Sequence, residues 1–525
     1  MTASALLAAL FVGSFFHINL GPEVKAPDPY DIPAAYVITL SDDVRKEQTF
    51  DGVRPDYAWW TSFSEPVLEK CISEAFSQNR DLESALARVQ QARAVFKETR
   101  GNQRPNIGVE IDATRAYTKV GTTDTLNEQN ILYGLGAANY EADLWGKLQK
   151  ATRAAKESIL ATESAKNTVR LALASQVAKT YFSLRGTDKQ LIVARETLKT
   201  QEKTIALNKI LYDNGKISEL ELRRSESIAA SSAVQVRQLE IALGKYENSL
   251  LVLMGREPKG FITRDIPRGL TLDELPAPPD VPLGIPADML RCRPDVKTAE
   301  QNYRTALANI GSARAGQYPT LSFDGLIGNP GRAVNDPSNL FTGATGWSLA
   351  AQVFVPIFNA GKLSARAAQA EAAAQQAWSA YYKTVQTAFE ETMNSINTQA
   401  KTEEILLLLE EQQKVQKRAY ELANIRYTDG MASQIDLLDA ERELLSVQLQ
   451  LEGSRADRLN SIVDLYTALG SGWAWRAADD LEKRELQKPW VKKDKFSESY
   501  LSEPAMLPNK NVKAIISLVH QTMRT

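Results

Sequence analysis

The chain has 525 residues, too many for one ordinary hydrophobic core, so several domains or an elongated object is expected. Its formal net charge is −2, with 62 basic and 64 acidic residues finely interleaved. That balance excludes the basic stripe a nucleic-acid partner would need. There are only two cysteines, Cys71 and Cys292, and two histidines, His17 and His520. Neither cysteine sits at metal-ligand spacing, so no metal, cofactor or nucleophile–base chemistry is supported.

In chain order, MTASALLAALFVGSFFHINL (1–20) is an apolar run of signal-peptide length with no Lys or Arg before it. It reads as an export signal, a short buried helix being the alternative. No later stretch has the roughly 20 apolar residues of a membrane-spanning helix. A helix is expected over Val67–Arg100, with Pro66 at its start, where a missing N–H is harmless. In NIGVEIDATRAY, Ile107, Val109, Ile111 and Ala113 alternate with Gly108, Glu110, Asp112 and Thr114, the period of a half-buried strand. Strands are placed at 105–117 and, after a polar loop, at 131–144.

Lys147–Tyr212 holds no proline and a single glycine, Gly186. It is rich in Ala, Leu, Gln, Glu and Lys, the strong helix formers. Leu173, Val177, Tyr181 and Leu184 give it a packing seam. A rise of about 1.5 Å per residue makes it a rod of roughly 100 Å. The turn LYDNGKISELELRRSES (211–227) ends that rod. Gly215 is read as a left-handed cap, Ser218 opens the next helix, and Glu221 completes a capping box. A return helix follows over Glu219–Met254.

The second half repeats this plan. A helix is expected at Asp295–Arg314, then strands at 319–328 and 346–358. In LSFDGLIG, Leu321, Phe323 and Ile327 share one face and Ser322 and Asp324 the other. A second rod, Lys362–Tyr427, has neither glycine nor proline, and RYTDGMASQIDLLDAER (426–442) forms its tip, with Gly430, Ser433 and Asp436 in the capping roles. The return helix is Gln434–Leu469. Tyr212 and Tyr427, Gly215 and Gly430, Leu222 and Leu437, and Glu226 and Glu441 are each 215 positions apart. Each half thus supplies two strands of membrane length with an apolar and a charged face. Four strands cannot close a barrel in lipid, so a membrane sheet requires copies of the chain, two or three, and a conduit favours three. The alternative is a set of soluble strands packed under a helical domain.

Several segments resemble the outer-membrane efflux proteins, the TolC-like channels. They are AWWTSFSEPVLEKCISEAFSQNRDLESALARVQQAR (58–93), YEADLWGK (140–147), PADMLRCRPDVKTAEQ (286–301), VFVPIFNAGKLSA (353–365) and both tips. The resemblance implies an α+β membrane protein in the bacterial outer membrane. Three chains would form a twelve-stranded β-barrel, four strands from each, continued by a long α-helical barrel through the periplasm. It implies a homotrimer that passes drugs or other small toxic compounds outward. They would arrive from an inner-membrane pump, of the resistance–nodulation–division (RND) type, through a periplasmic adaptor protein. Protein secretion and metal efflux are alternatives, a periplasmic scaffold a more distant one. Nothing in the motifs points to an enzyme.

The same resemblance assigns the periplasmic gate to Asp436, Asp439, Glu221, Tyr212 and Tyr427. It assigns adaptor docking to Gly215, Lys216, Ser218, Gly430, Met431 and Ser433. Glu110, Asp112, Ser322 and Asp324 face the barrel lumen. Local capping remains an alternative role for Glu221 and Asp436, and Asp439 lies in a first turn that favours acids. An arginine that latches the gate in some members is absent here, where Lys216–Ile217 and Met431–Ala432 stand. The lipid-acceptor cysteine before a Gly-Pro pair like Gly21–Pro22 is absent too. The expected organisation is an export segment (1–20), an extended equatorial segment (21–65), the first repeat (66–255, hairpin 147–254), and an equatorial linker (256–285). The second repeat (286–470, hairpin 362–469) and an equatorial, partly disordered tail (471–525) complete it.

Overall fold

A computed structural model describes residues 20–22, 58–119, 126–263, 266–275, 293–328 and 346–470. The chain divides into two compact units, Met1–Ala474 and Trp475–Thr525. The export segment, most of 21–65, much of the 256–285 linker and the 471–525 tail lie outside the described residues.

A short 3-10 turn, Trp59–Phe63, leads into α1 (Pro66–Gln78) and α2 (Arg80–Gly101). The strands β1 (Asn106–Lys119) and β2 (Leu126–Ala142) follow, then α3 (Lys147–Asp213) and α4 (Glu219–Leu253). After the one-and-a-half-turn α5 (Pro258–Thr263) come α6 (Pro294–Ala315), β3 (Thr320–Gly328), β4 (Gly346–Phe354), α7 (Lys362–Thr428) and α8 (Gln434–Ala468). Both long helices have 67 residues and both return helices 35, so each hairpin is half uncovered by its own return. The remainder is filled by the other helix of each repeat. α2 and α4 both lie on α3, α6 and α8 both pack between α3 and α7, and α7 forms the far edge.

The single helix expected over Val67–Arg100 is broken. Asn79 is extended at ψ 129 and caps α2, its side chain accepting from Asp81 N and Leu82 N. Its Nδ2 donates to Leu253 O at 2.9 Å, so the break receives the end of α4. A Cβ on Gly255 would stand 2.3 Å from Gln78 O, and only glycine lets that junction close. The strands also shift from the expected bounds: β2 begins at Leu126, and β4 ends at Phe354, four residues early.

The main core forms where α1, the 3-10 turn, α3 and the ends of both return helices meet. Phe63, Leu68, Ile72, Tyr181, Phe182, Leu250, Leu251 and Val463 are wholly buried there. Trp59 stacks on Tyr466 with ring centroids 5.8 Å apart. Burial of each such side chain contributes about 1.5–3 kcal/mol.

The four strands form one antiparallel meander, β1-β2-β3-β4. The β2–β3 pairing joins the two repeats, with Tyr140 opposite Phe323 and Asn139 opposite Asp324. Directly paired residues share a face. One face therefore carries the rows Ile107–Ala138–Gly325–Leu349, Tyr140–Phe323–Ala351 and Ala142–Leu321–Val353. The other carries Asn106–Asn139–Asp324–Ala350 and Glu141–Ser322–Gln352. Among the described residues, β1 and β4 each have a neighbour on one side only.

Candidate functional site: the hairpin tips and the two-faced sheet

Both tips close the same way because the same local chemistry is present twice. Gly215 (φ 65) and Gly430 (φ 72) take the left-handed region. Lys216 N bonds back to Leu211 O and Gly215 N to Tyr212 O, while Met431 N and Gly430 N bond to Arg426 O and Tyr427 O. This is the Schellman arrangement, which satisfies carbonyls the helix leaves unpaired. Open space surrounds the missing Cβ of each glycine, so backbone conformation alone calls for glycine.

Ser218 and Ser433 then cap the return helices. Ser218 N donates to Glu221 Oε2 at 2.7 Å, and Glu221 N donates to Ser218 Oγ at 3.3 Å. Ser433 and Asp436 make the same reciprocal pair at 3.0 and 3.4 Å. The Ser433 hydroxyl and amide, with Arg426 nearby, hold the Asp436 carboxyl below its usual range. Asp439 makes no part of this box; its exposed carboxylate lies 3.3 Å from Arg442. Met431 at the tip is exposed.

The two tips of one chain also meet each other. Burial, then the Glu221 carboxylate, pushes the Tyr427 phenol upward. Behind them stands a buried polar hub that the sequence reading did not single out. Ser225 Oγ donates to Glu221 O at 3.0 Å, and accepts from Asn208 Nδ2 at 2.8 Å and from Gln434 Nε2 at 2.9 Å. All three side chains are buried. A signal was available: at 215-residue spacing, Asn208 and Ser225 correspond to Ala423 and Ala440, so the repeat is broken where the hub sits.

At the sheet, Ser322 and Asp324 lie on the polar face, where Asn139 Nδ2 donates to Asp324 Oδ1. Glu141 on that face pairs with Lys147 at 2.8 Å. Glu110 and Asp112 pair with Leu135 and Tyr133 in the backbone register; their side chains lie outside those described. The apolar face is open: Ile107 is 78% exposed, Val109 79% and Val353 65%. No helix among the described residues is long and apolar enough to cross a membrane.

The family described as "Outer membrane efflux protein" matches residues 71–256 and 285–471, one segment in each repeat. The chain belongs to the outer membrane efflux protein family. Its place is the outer membrane, and it is the outer-membrane component of an efflux system. Among relatives, the antibiotic efflux pump outer membrane protein ArpC of Pseudomonas putida is 31% identical over 501 residues, 93% of this chain and 100% of ArpC. The solvent efflux pump outer membrane protein SrpC of Pseudomonas putida is 34% identical over 419 residues, 78% of this chain and 87% of SrpC. Among solved structures, the outer-membrane channel OprN matches with a TM-score of 0.77 at 28% identity, covering 87% of this chain and 100% of OprN. Such a channel offers a passage, and its chemistry is that of its walls.

Proposed function

We propose that three copies of this chain assemble into a duct through which small, largely apolar toxic compounds leave the cell. A periplasmic adaptor and an RND-type inner-membrane pump would deliver them at the hairpin tips. The observation that carries this reading is the sheet, with one apolar exposed face, one polar face and two unpaired edges. In a bilayer the apolar face turns to lipid and the polar face to water. An edge strand in lipid is forbidden, so β1 of one copy must pair with β4 of the next. Three sheets give twelve strands, enough for an open lumen, whereas two would give a barrel filled by its own side chains.

The helical layer supports the same closure. On α4 the exposed residues Leu220, Val234 and Ile241 recur at heptad-compatible positions, with Ser227 between them. On α7, at the opposite edge, Leu408, Val415 and Leu422 recur every seven residues and are exposed. Such stripes pack against one another in coiled coils. The antibiotic and solvent efflux of ArpC and SrpC supports a cargo of small organic compounds. The tips, where Gln434 of the second hairpin bonds Ser225 of the first and Asp439 stands exposed, are the proposed gate.

The test is the mass of the purified protein in detergent, followed by reconstitution. A trimer that conducts ions across a lipid bilayer is expected. A water-soluble monomer without conductance would overturn the reading.

A further inference from the structure

A cleft on the first hairpin takes no part in the tips or the sheet. It lies between α3 and α4, has a volume of about 500 Å³, and is walled at one end by Arg268 of the linker segment Ile266–Leu275. Leu191 and Leu243 line its apolar part, Ile192 is 52% exposed at its edge, and Gly244 projects no side chain into it.

The charges of the cleft stand in two rungs. Asp188 of α3 and Glu247 of α4 share Arg268 at 2.9 and 2.5 Å, and Arg185 joins Asp188 at 2.9 Å. Seven residues along each helix, Arg195 pairs with Glu240 at 2.7 Å, and Arg237 takes the other Glu240 oxygen at 2.8 Å. Seven residues of helix set the rungs about 10 Å apart. The first rung is balanced, two guanidiniums against two carboxylates. Both guanidiniums bond Asp188 through Oδ2, so Oδ1 accepts no bond among the described residues. The second rung holds two guanidiniums on one carboxylate, an excess of positive charge. One end of the cleft thus offers an acceptor and the other a cation.

The linker wall is fixed in place before any ligand arrives. Arg185 Nη2 donates to Gly269 O at 3.1 Å, and the wholly buried Glu65 accepts from Leu270 N at 3.1 Å. Farther along, Asp273 pairs with Lys189 of α3 at 3.3 Å and with Arg455 of α8. The second hairpin lacks the same chemistry. At 215-residue spacing, Arg195, Gly244 and Glu247 correspond to Glu410, Leu459 and Ile462.

The linker also sets the way the cleft opens. Inside a duct it would stand in the passage, so its side of the helical layer faces the periplasm, an orientation that rests on the duct reading. A neighbouring copy leaves the cleft open. Glu240, Gly244 and Glu247 lie about a third of a turn around α4 from the stripe of Leu220, Val234 and Ile241. A cleft of this size takes a small group, whereas a protein partner would cover about 800 Å². An extended peptide advances about 3.3–3.6 Å per residue, so three residues reach from rung to rung.

We propose that this cleft binds a short extended peptide, its ammonium at Asp188 and Glu247 and its carboxylate at Arg195. Two sources carry that chemistry: free peptides in the periplasm, and the peptide stems of the cell wall, which bear both charges.

The experiment is calorimetric titration of the full chain in detergent with trialanine, with N-acetyl-trialanine, which lacks the ammonium, and with trialanine amide, which lacks the carboxylate. Trialanine is expected to bind about tenfold tighter, or more, than either blocked form. Gly244→Leu fills the cleft without changing its charge and should abolish binding. Arg195→Gln should weaken trialanine to the level of its amide while leaving the amide unaffected, a pattern that loss of fold would not give. Equal binding of all three peptides, binding of none, or binding that survives Gly244→Leu would overturn the proposal. Co-sedimentation with purified cell-wall sacculi, competed by trialanine, would assign the cleft to the wall stems. Trialanine binding without co-sedimentation would assign it to free peptides. Each arm is read without conductance, so failure of the duct and failure of the cleft are told apart.

Discussion

Gln434 Nε2 lies 2.9 Å from Ser225 Oγ, joining two hairpins across 209 positions of sequence. Because Ser225 also accepts from Asn208, one hydroxyl serves two buried amides. Ser225→Ala would leave both amides without that partner, at about 1–3 kcal/mol each. Hydrogen exchange should quicken in 208–225 and 427–436, while exchange in the main core stays slow. Adding Gln434→Leu should restore part of the protection, since removing both partners costs less than orphaning one.

Gly215→Ala and Gly430→Ala test the left-handed caps. Space is free at both positions, so the cost is backbone strain of about 1–2 kcal/mol. Asparagine should be tolerated better than alanine, and valine worse. The ranking can be read from the temperature at which each tip becomes sensitive to protease; equal tolerance of all three would contradict it.

Val234→Asp and Leu408→Asp place a charge in each exposed stripe. Neither residue is buried within the chain, so the monomer fold should survive while the trimer weakens. Size-exclusion chromatography with light scattering in detergent would show monomers. Arg223→Ala, on an exposed site already paired with Glu219 and Glu226, should leave assembly unchanged.

The Asp436 carboxyl titrates below its ordinary value of 3.8 because Ser433 bonds its charged form. A carboxyl with a lowered folded pKa stabilises the fold above the unfolded pKa and loses that contribution as pH falls through the folded one. The second tip should therefore keep its order from pH 8 to about pH 4 and loosen only below that. A spin label at Met431→Cys would report the change as narrowed lines. With Asp436→Asn added, the label should be more mobile at neutral pH and the acid transition should vanish.

Asp439 is exposed, lies outside the capping box and pairs only loosely with Arg442. Three copies around a narrow entrance would favour cations. Asp436→Ala with Asp439→Ala should shift the reversal potential under a salt gradient toward non-selectivity. An unmoved reversal potential would remove these acids from the gate.

What could be read in advance was local. Gly215 and Ser218 with Glu221 sit within one turn of chain, and their short-range bonds are fixed by residue type alone. The strand alternation around Val109 was equally plain, because a period of two survives any packing. Asn79 was not legible: it sits amid strong helix formers, and its break answers to Leu253 O, 174 positions away. The hub showed only as a break in the repeat, Asn208 and Ser225 against Ala423 and Ala440; its bonds were hidden, since both residues resemble solvent-facing polar ones until α8 arrives beside them. The role of Ile266–Leu275 was hidden for the same reason. Arg268 and Asp273 look like ordinary surface charges, and only the fold brings Lys189, Glu247 and Arg455 around them.

The exposed margins of the meander set the order in which a subunit can mature. About half the residues of β1 and β4 aim their N–H and C=O groups past the sheet, where a lone subunit offers no partner. In hydrocarbon each such group costs several kcal/mol, a total on the order of tens of kcal/mol per subunit. In the proposed assembly a single copy could not wait in lipid for its companions, so oligomerisation and membrane entry would be one concerted event during biogenesis. Its rate should climb steeply with the supply of newly exported chains.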